Sequence, residues 1–167
     1  MIIKFTNFSD GIHKINFNEP AGKLNLSSEF IDDVLLEVEM DKSASQIVLS
    51  CEVEALTHRV CDRCTKEYNS EIYHQFKMTY LLGEDSGAED QIDIHFLASD
   101  QDKIDLYGDV AELTQLALPM KSLCSEECKG LCPKCGKDLN EGPCDCKDDE
   151  INPAWEPLLK LKDKLNN

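Results

Sequence analysis

The chain has 167 residues, 41% of them hydrophobic, with 17 basic against 33 acidic residues and a formal charge of −16. That length suits one domain, or one domain with a small appended module, and the apolar content allows a modest core. The charge opposes unspecific binding to a phosphate backbone, which rests on Lys and Arg neutralising phosphates; with 7% aromatic residues, base-stacking platforms are scarce as well.

Residues 1–83 read as β-structure. Short candidates at Ile2–Thr6 and Ile12–Phe17 come first. Val34, Leu36, Val38 and Met40 then alternate with Leu35, Glu37 and Glu39. After Asp41, Lys42 and Ser43 the alternation resumes, with Ile47, Leu49, Cys51, Val53 and Ala55 on one face of Gln46–Leu56. Period two on both sides of a polar break predicts a hairpin. Glu71–Leu82 repeats the pattern with Ile72, Phe76, Met78 and Tyr80, and Ile92–Leu97 is a further short candidate. Several antiparallel strands with one wet face predict a mostly antiparallel sheet or small barrel. Residues 83–90 are a loop by composition. Leu106, Val110, Leu113 and Ala117 form the stripe of an amphipathic helix that Pro119 stops. No periodicity follows from Lys121 to Asp149, and Trp155, Leu158, Leu161 and Leu165 then form a second helical stripe. The fold class expected is α+β: a β-rich domain over 1–105, a connecting helix over 106–120, and a cysteine-rich, zinc-ribbon-like module with a C-terminal helix over 121–167.

Eight of the nine cysteines stand in four close pairs: Cys61 with Cys64, Cys124 with Cys128, Cys132 with Cys135, and Cys144 with Cys146. Zn²⁺ takes thiolates four at a time in closed tetrahedral sites, and short pairs separated by loops supply them. In Cys132-Pro-Lys-Cys135-Gly, Pro133 presets a tight turn and Gly136 permits the positive φ that follows. A redox dithiol would open a helix beside a βαβ pattern, which the loop-rich setting of Gly130, Gly136 and Gly142 does not offer. Disulfides would need an oxidising compartment. The opening Met-Ile-Ile-Lys-Phe has no signal-peptide pattern, and no run approaches the ~18 apolar residues of a membrane span. A cytoplasmic protein with reduced thiols is expected, without a membrane partner.

Cys132/Cys135 and Cys144/Cys146 are close enough to share one ion, which leaves Cys61/Cys64 to meet Cys124/Cys128. An interleaved set, with Cys124/Cys128 joining Cys132/Cys135, would leave Cys61 and Cys64 without metal, so two zinc ions and one both stay open. Cys51 falls alone on the apolar face of its strand and reads as a buried structural thiol. His58 is a reserve ligand, and His74 a core histidine. No nucleophile-and-base constellation, Gly-rich phosphate loop, G-x-S-x-G or H-E-x-x-H occurs. A closed four-cysteine site also leaves no position for a catalytic water. No enzyme and no small-molecule substrate are expected.

The string from Leu116 to Cys124, then Cys128-Lys-Gly-Leu-Cys132-Pro-Lys-Cys135-Gly-Lys-Asp-Leu-Asn140, Cys144-Asp-Cys146 and Asn152-Pro153, preceded by Cys61-Asp-Arg-Cys64, resembles the YceD family. Its members are associated with accumulation of large-subunit ribosomal RNA in bacteria and plastids. The resemblance runs from about Val60 to the C-terminus; residues 1–59 match only as generic β-structure. It implies a non-enzymatic ribosome-biogenesis factor acting through a ribosomal protein or assembly factor, or through structured ribosomal RNA. A zinc-ribbon interaction module of another machine, such as transcription, is the alternative. Residues 84–112, with ten acidic residues against Lys103, are the expected docking stretch for a basic partner. Arg59, Arg63, Lys66, Lys129, Lys134 and Lys137 are the candidates for a phosphate-contacting patch.

Overall fold

Strict alternation of aliphatic and polar residues puts every second side chain on one face of a strand, and the computed structural model, which describes residues 1–83, 94–98 and 100–146, follows that rule closely. Strand β1 is Ile2–Ile3, β2 Gly11–Pro20, β3 Asp33–Lys42, β4 Gln46–Val60, β5 Glu67–Leu82, β6 Ile94–Leu97 and β7 Ile104–Asp105, followed by helix α1 at Tyr107–Leu116. Strands β2 to β6 form one sheet in sequence order, antiparallel except for the parallel pair β5 and β6. β1 and β7 make a separate two-stranded ribbon.

The sheet is open. Its edge strands β2 and β6 do not pair with each other among the described residues, so of the two forms expected it is the antiparallel sheet, not the small barrel, that forms. β6 enters parallel to β5, which makes the sheet mixed at that edge.

One face carries the core. Val34, Leu36, Val38 and Met40 of β3, Ile47, Leu49, Cys51 and Val53 of β4, and Met78 and Tyr80 of β5 are buried. Ile3, Ile104, Leu106 and Val110 cover them from the ribbon and helix. Each fully buried aliphatic side chain contributes on the order of 2 kcal/mol. α1 buries Val110 and Thr114 after a buried Leu106. The inner face is therefore rotated from the expected stripe, and Leu113 and Ala117 are only half-buried. Asp105, one residue before the N-cap Leu106, accepts a hydrogen bond from the Tyr107 amide at 3.0 Å and so satisfies the first amide of the helix.

Other differences lie at element ends. Ile2–Thr6 is a strand only over Ile2–Ile3, with a 3₁₀ turn at Phe5–Asn7. The hairpin strands run longer than the apolar alternation, so β4 and β5 meet at residues 61–66, the Cys61-Asp-Arg-Cys64 turn. Residues 121–146 contain no helix or regular strand, only a bridge between Leu131 and Asp138. The stripe from Trp155 to Leu165 lies outside the described residues. No helix among those described is long and apolar enough to cross a membrane.

Candidate metal centre

The β4–β5 turn and the Cys132 turn share one local plan. In the first, the Cys61 amide donates to the Lys66 carbonyl at 2.9 Å and the Thr65 amide to the Cys61 carbonyl at 2.9 Å. In the second, the Cys132 amide donates to the Lys137 carbonyl at 2.8 Å and the Gly136 amide to the Cys132 carbonyl at 2.9 Å. Both turns require a left-handed residue just after the second cysteine: Thr65 at φ 58° and Gly136 at φ 73°. Glycine takes that conformation freely, whereas a β-branched residue does so at a cost.

Backbone N–H groups are aimed at the first sulfur of each turn, at Cys61 from the tail residue Cys124 as well as from the turn itself. The amides of Cys124, Cys64 and Arg63 hold the Cys61 thiol down to about 6. Those of Cys135 and Lys134 do the same for Cys132, also to about 6. Hydrogen bonds to sulfur favour the thiolate, the form that binds metal. Burial pushes Cys124 up to about 12, and the hydrogen bond with the Cys135 sulfur does so for Cys146. Four thiols packed together cannot all ionise unless a cation compensates them.

The sulfurs gather into two sets of four. Cys61, Cys64, Cys124 and Cys128 lie within 4.8 Å of one another, as do Cys132, Cys135, Cys144 and Cys146. A tetrahedron whose sulfurs stand ~2.3 Å from its centre has edges of about 3.8 Å. Cys61 and Cys128 are 3.8 Å apart, Cys64 and Cys124 3.7 Å, and Cys132 and Cys144 3.4 Å. Donor set, spacing and N–H···S contacts fit a metal ion in each set, and zinc is compatible with both. The interleaved arrangement, with Cys124 and Cys128 beside Cys132 and Cys135, is not the one formed.

Arg63 binds the two halves of the first set together. Its guanidinium donates to the carbonyls of Glu126 at 3.1 Å and Cys128 at 2.8 Å. Its own carbonyl accepts from the Leu131 amide at 3.0 Å. Gly130 makes this approach feasible: it sits at φ +75°, and a Cβ there would meet the Arg63 carbonyl oxygen at 2.9 Å. Asp62 exchanges two hydrogen bonds with Ser122, both 2.7 Å, and the Asn140 side-chain Nδ2 donates to the Cys128 sulfur at 3.4 Å. Contacts of this kind orient ligands around a metal. The roles of Asp62, Arg63 and Asn140 escape a search for cysteine pairs. The parallel between Cys61-Asp-Arg-Cys64-Thr-Lys and Cys132-Pro-Lys-Cys135-Gly-Lys was the available signal for the shared turn.

The remaining candidates fall elsewhere. Cys51 is buried in the sheet core, and burial pushes its thiol up to about 12. His58 is not in either sulfur set: its Nδ1 is 2.8 Å from Asn69 Oδ1 and its Nε2 3.7 Å from Glu67. Arg59 is nearly buried, donating to the Pro119 carbonyl at 2.9 Å and pairing with Glu29 at 3.2 Å. Lys137 donates to the Pro143 carbonyl at 2.8 Å. The fold does bring Arg63 beside the Lys129 segment, but the guanidinium groups of Arg59 and Arg63 are engaged by the protein's own backbone.

A β-sheet whose longest hairpin meets an irregular tail at its turn through four clustered thiols, with four more clustered within the tail, defines a cysteine-centred scaffold with two sets that could each hold a metal ion. The family model described as Large ribosomal RNA subunit accumulation protein YceD matches residues 49–162, and the chain belongs to that family. It is 25% identical over 160 residues to Large ribosomal RNA subunit accumulation protein YCED homolog 1, chloroplastic, of Arabidopsis thaliana, covering 79% of this chain and 49% of that protein. It is 26% identical over 134 residues to an uncharacterized protein of Mycobacterium tuberculosis, covering 75% of this chain and 60% of that one. A Zea mays protein with the same chloroplastic name is 36% identical over 55 residues, 32% of this chain and 18% of its own. The chain thus spans about half to three-fifths of the length of the first two relatives. No solved structure matches it.

Proposed function

We propose that this protein is a non-enzymatic ribosome-biogenesis factor that supports accumulation of large-subunit ribosomal RNA, is held together by two structural zinc ions, and works in the cytoplasm through a protein partner. The observation that carries the metal part is the pair of four-sulfur sets, each with its sulfurs within 4.8 Å of one another. Membership of the family described by ribosomal RNA accumulation carries the biological part. Four protein ligands per ion close the coordination sphere, so the metal is structural and supplies no Lewis-acid position. Reduced thiols suit a reducing compartment. A charge of −16 favours a protein partner over naked RNA.

The test is a strain of the source organism lacking this protein, complemented with the wild type or with Cys61→Ser, with large-subunit ribosomal RNA measured against small-subunit RNA. Restoration by the wild type and failure by Cys61→Ser supports the reading. Equal ratios with and without the protein would overturn it. Elemental analysis of protein purified without chelator should give close to two zinc ions per chain. What co-purifies with a tagged copy identifies the machine: pre-ribosomal particles support the proposal, and polymerase alone contradicts it.

A further inference from the structure

The face of the sheet opposite the core carries carboxylates in an arrangement that costs stability. Glu37 of β3 stands directly across from Glu52 of β4 in the antiparallel register, and like charges so placed repel. Glu39, Glu54 and Glu71 belong to the same face, with Asp33 and Asp41 on β3. Among the described strand residues, the Lys and Arg side chains on this face are Lys14, 3.9 Å from Glu39, and Lys77. Amid the carboxylates, Leu35 is 44% and Tyr73 55% exposed. They lie in one cross-strand row, Asn18, Leu35, Glu54 and Tyr73. A groove of about 600 Å³ runs there, lined by Asp33, Leu35, Glu54, Leu56, Glu71 and Tyr73. Two smaller grooves, of about 180 and 400 Å³, continue along the same sheet face past Glu37, Glu52 and Lys77.

Resting on the reading of the protein as a factor that acts through a partner, we infer that this open sheet face is the docking surface for an arginine- and lysine-rich segment of that protein partner. Charge complementarity selects the occupant. Phosphate backbones are repelled by this face, and a second copy would set the same carboxylates against themselves in a chain of charge −16. The acidic residues lie ~5 Å apart across strands and ~7 Å apart along them, the latter being the spacing of alternate side chains in an extended segment. Tyr73 offers a ring face to a guanidinium, and Leu35 and Leu56 meet its aliphatic stem. Among the described residues of the 84–112 stretch, Asp102 pairs with Lys4 at 3.1 Å and Asp105 accepts from the first amide of α1. Two of those acids therefore already serve the fold.

The test measures anisotropy of a short fluorescein-labelled peptide with arginine at alternate positions, titrated with the full metal-loaded chain at physiological salt. Combining Glu37→Gln, Glu52→Gln and Glu54→Gln should weaken binding about tenfold. Asp100→Asn, Asp102→Asn and Glu112→Gln together remove the same charge elsewhere and should change it less than about twofold. Tyr73→Ala should cost about threefold. Equal weakening by the two triple variants would reduce the effect to net charge and overturn the surface, as would binding unchanged by the sheet-face triple. Tighter binding of naked ribosomal RNA than of the peptide would overturn it in favour of RNA. Glu52 also accepts a hydrogen bond from Gln75 at 2.8 Å, which the glutamine side-chain oxygen can still accept, so the melting temperature of the triple variant should not fall, and measuring it separates lost binding from lost folding. The complementation assay separates the two readings. A sheet-face triple that loses the peptide yet restores ribosomal RNA supports the surface and overturns the partner-dependent function. One that keeps the peptide overturns the surface alone.

Discussion

Thr65 and Gly136 occupy the same position in two turns with matching hydrogen bonds, yet only one is a glycine. Thr65 holds φ 58° with a branched side chain whose hydroxyl donates to the Cys64 carbonyl at 2.7 Å. A left-handed non-glycine residue costs on the order of 1–3 kcal/mol, partly offset by the backbone entropy that glycine loses on folding. Thr65→Gly should therefore stabilise the metal-loaded protein by about 1 kcal/mol, read as a higher urea midpoint; a lower midpoint would show that the hydroxyl contact outweighs the strain. Cys51 poses a different residue-scale question. Burial raises its thiol from an ordinary 9.0 to about 12, so the folded state favours the neutral form. The sign follows from linkage: the stabilisation is fully present below pH 9 and is lost as pH rises through 9 towards 12. The urea midpoint should fall between pH 9 and 11, and Cys51→Val should reduce that fall. An identical fall in wild type and variant would assign the alkaline sensitivity to other groups. That Cys51 is a core thiol was legible in the alternation of β4, because a strand's period decides its face. The strain at Thr65 was not legible, since nothing in Cys-Asp-Arg-Cys-Thr-Lys marks threonine as left-handed until the turn is compared with its glycine-bearing counterpart.

At the scale of elements, the two sulfur sets differ in how the chain covers them. Cys61, Cys64 and Cys128 are buried beneath Tyr68, Leu123 and Leu131. In the second set Cys135 and Cys146 are exposed. Exchange of a structural metal requires a competing ligand to reach it, so the second ion should leave first. Timed release to a chromogenic chelator should show one fast and one slow equivalent, and Cys146→Ser should remove the fast one. Two equivalents released at a single rate would mean that the sets open together. This difference could not be read from spacing, which grouped the cysteines but carried nothing about which segments pack over them. The strands were legible for the opposite reason. Val34–Met40 and Gln46–Leu56 each keep one face aliphatic, so a one-residue slip would bury Glu37 or Glu52. Their ends were less so: β4 runs on to Val60 because pairing with β5 continues after the apolar alternation stops. The helix was legible in place but not in face, since Thr114 is buried where Leu113 was the apolar choice.

For the whole molecule, the main apolar core and the metal region are separate clusters. The first runs from Met1 and Ile3 through the sheet to Val110; the second contains Cys61, Cys64 and Cys128 with Tyr68, Leu123, Cys124 and Leu131. What joins them is the Cys61–Cys64 turn itself, an extension of the long β4–β5 hairpin, bound to the tail by Asp62 and Arg63. The sheet therefore has its own source of stability in burial. The tail, with no regular element over residues 121–146, depends on metal, whose binding contributes on the order of ten kcal/mol to local folding in small zinc modules. Chelation should then uncouple the two regions instead of unfolding the chain. Hydrogen exchange before and after chelation should find the Leu49 and Val53 amides of β4 as protected as before. The amides of Asp62, Cys128, Leu131 and Cys132, which donate to Ser122, Ser125, Arg63 and Lys137, should exchange far faster. Cys61→Ser should reproduce that pattern at Asp62, Cys128 and Leu131 while sparing Cys132, whose own sulfur set stays complete. Loss of protection in β4 along with the tail would show that the sheet cannot stand without the staple, and would make the metal a condition of the whole fold.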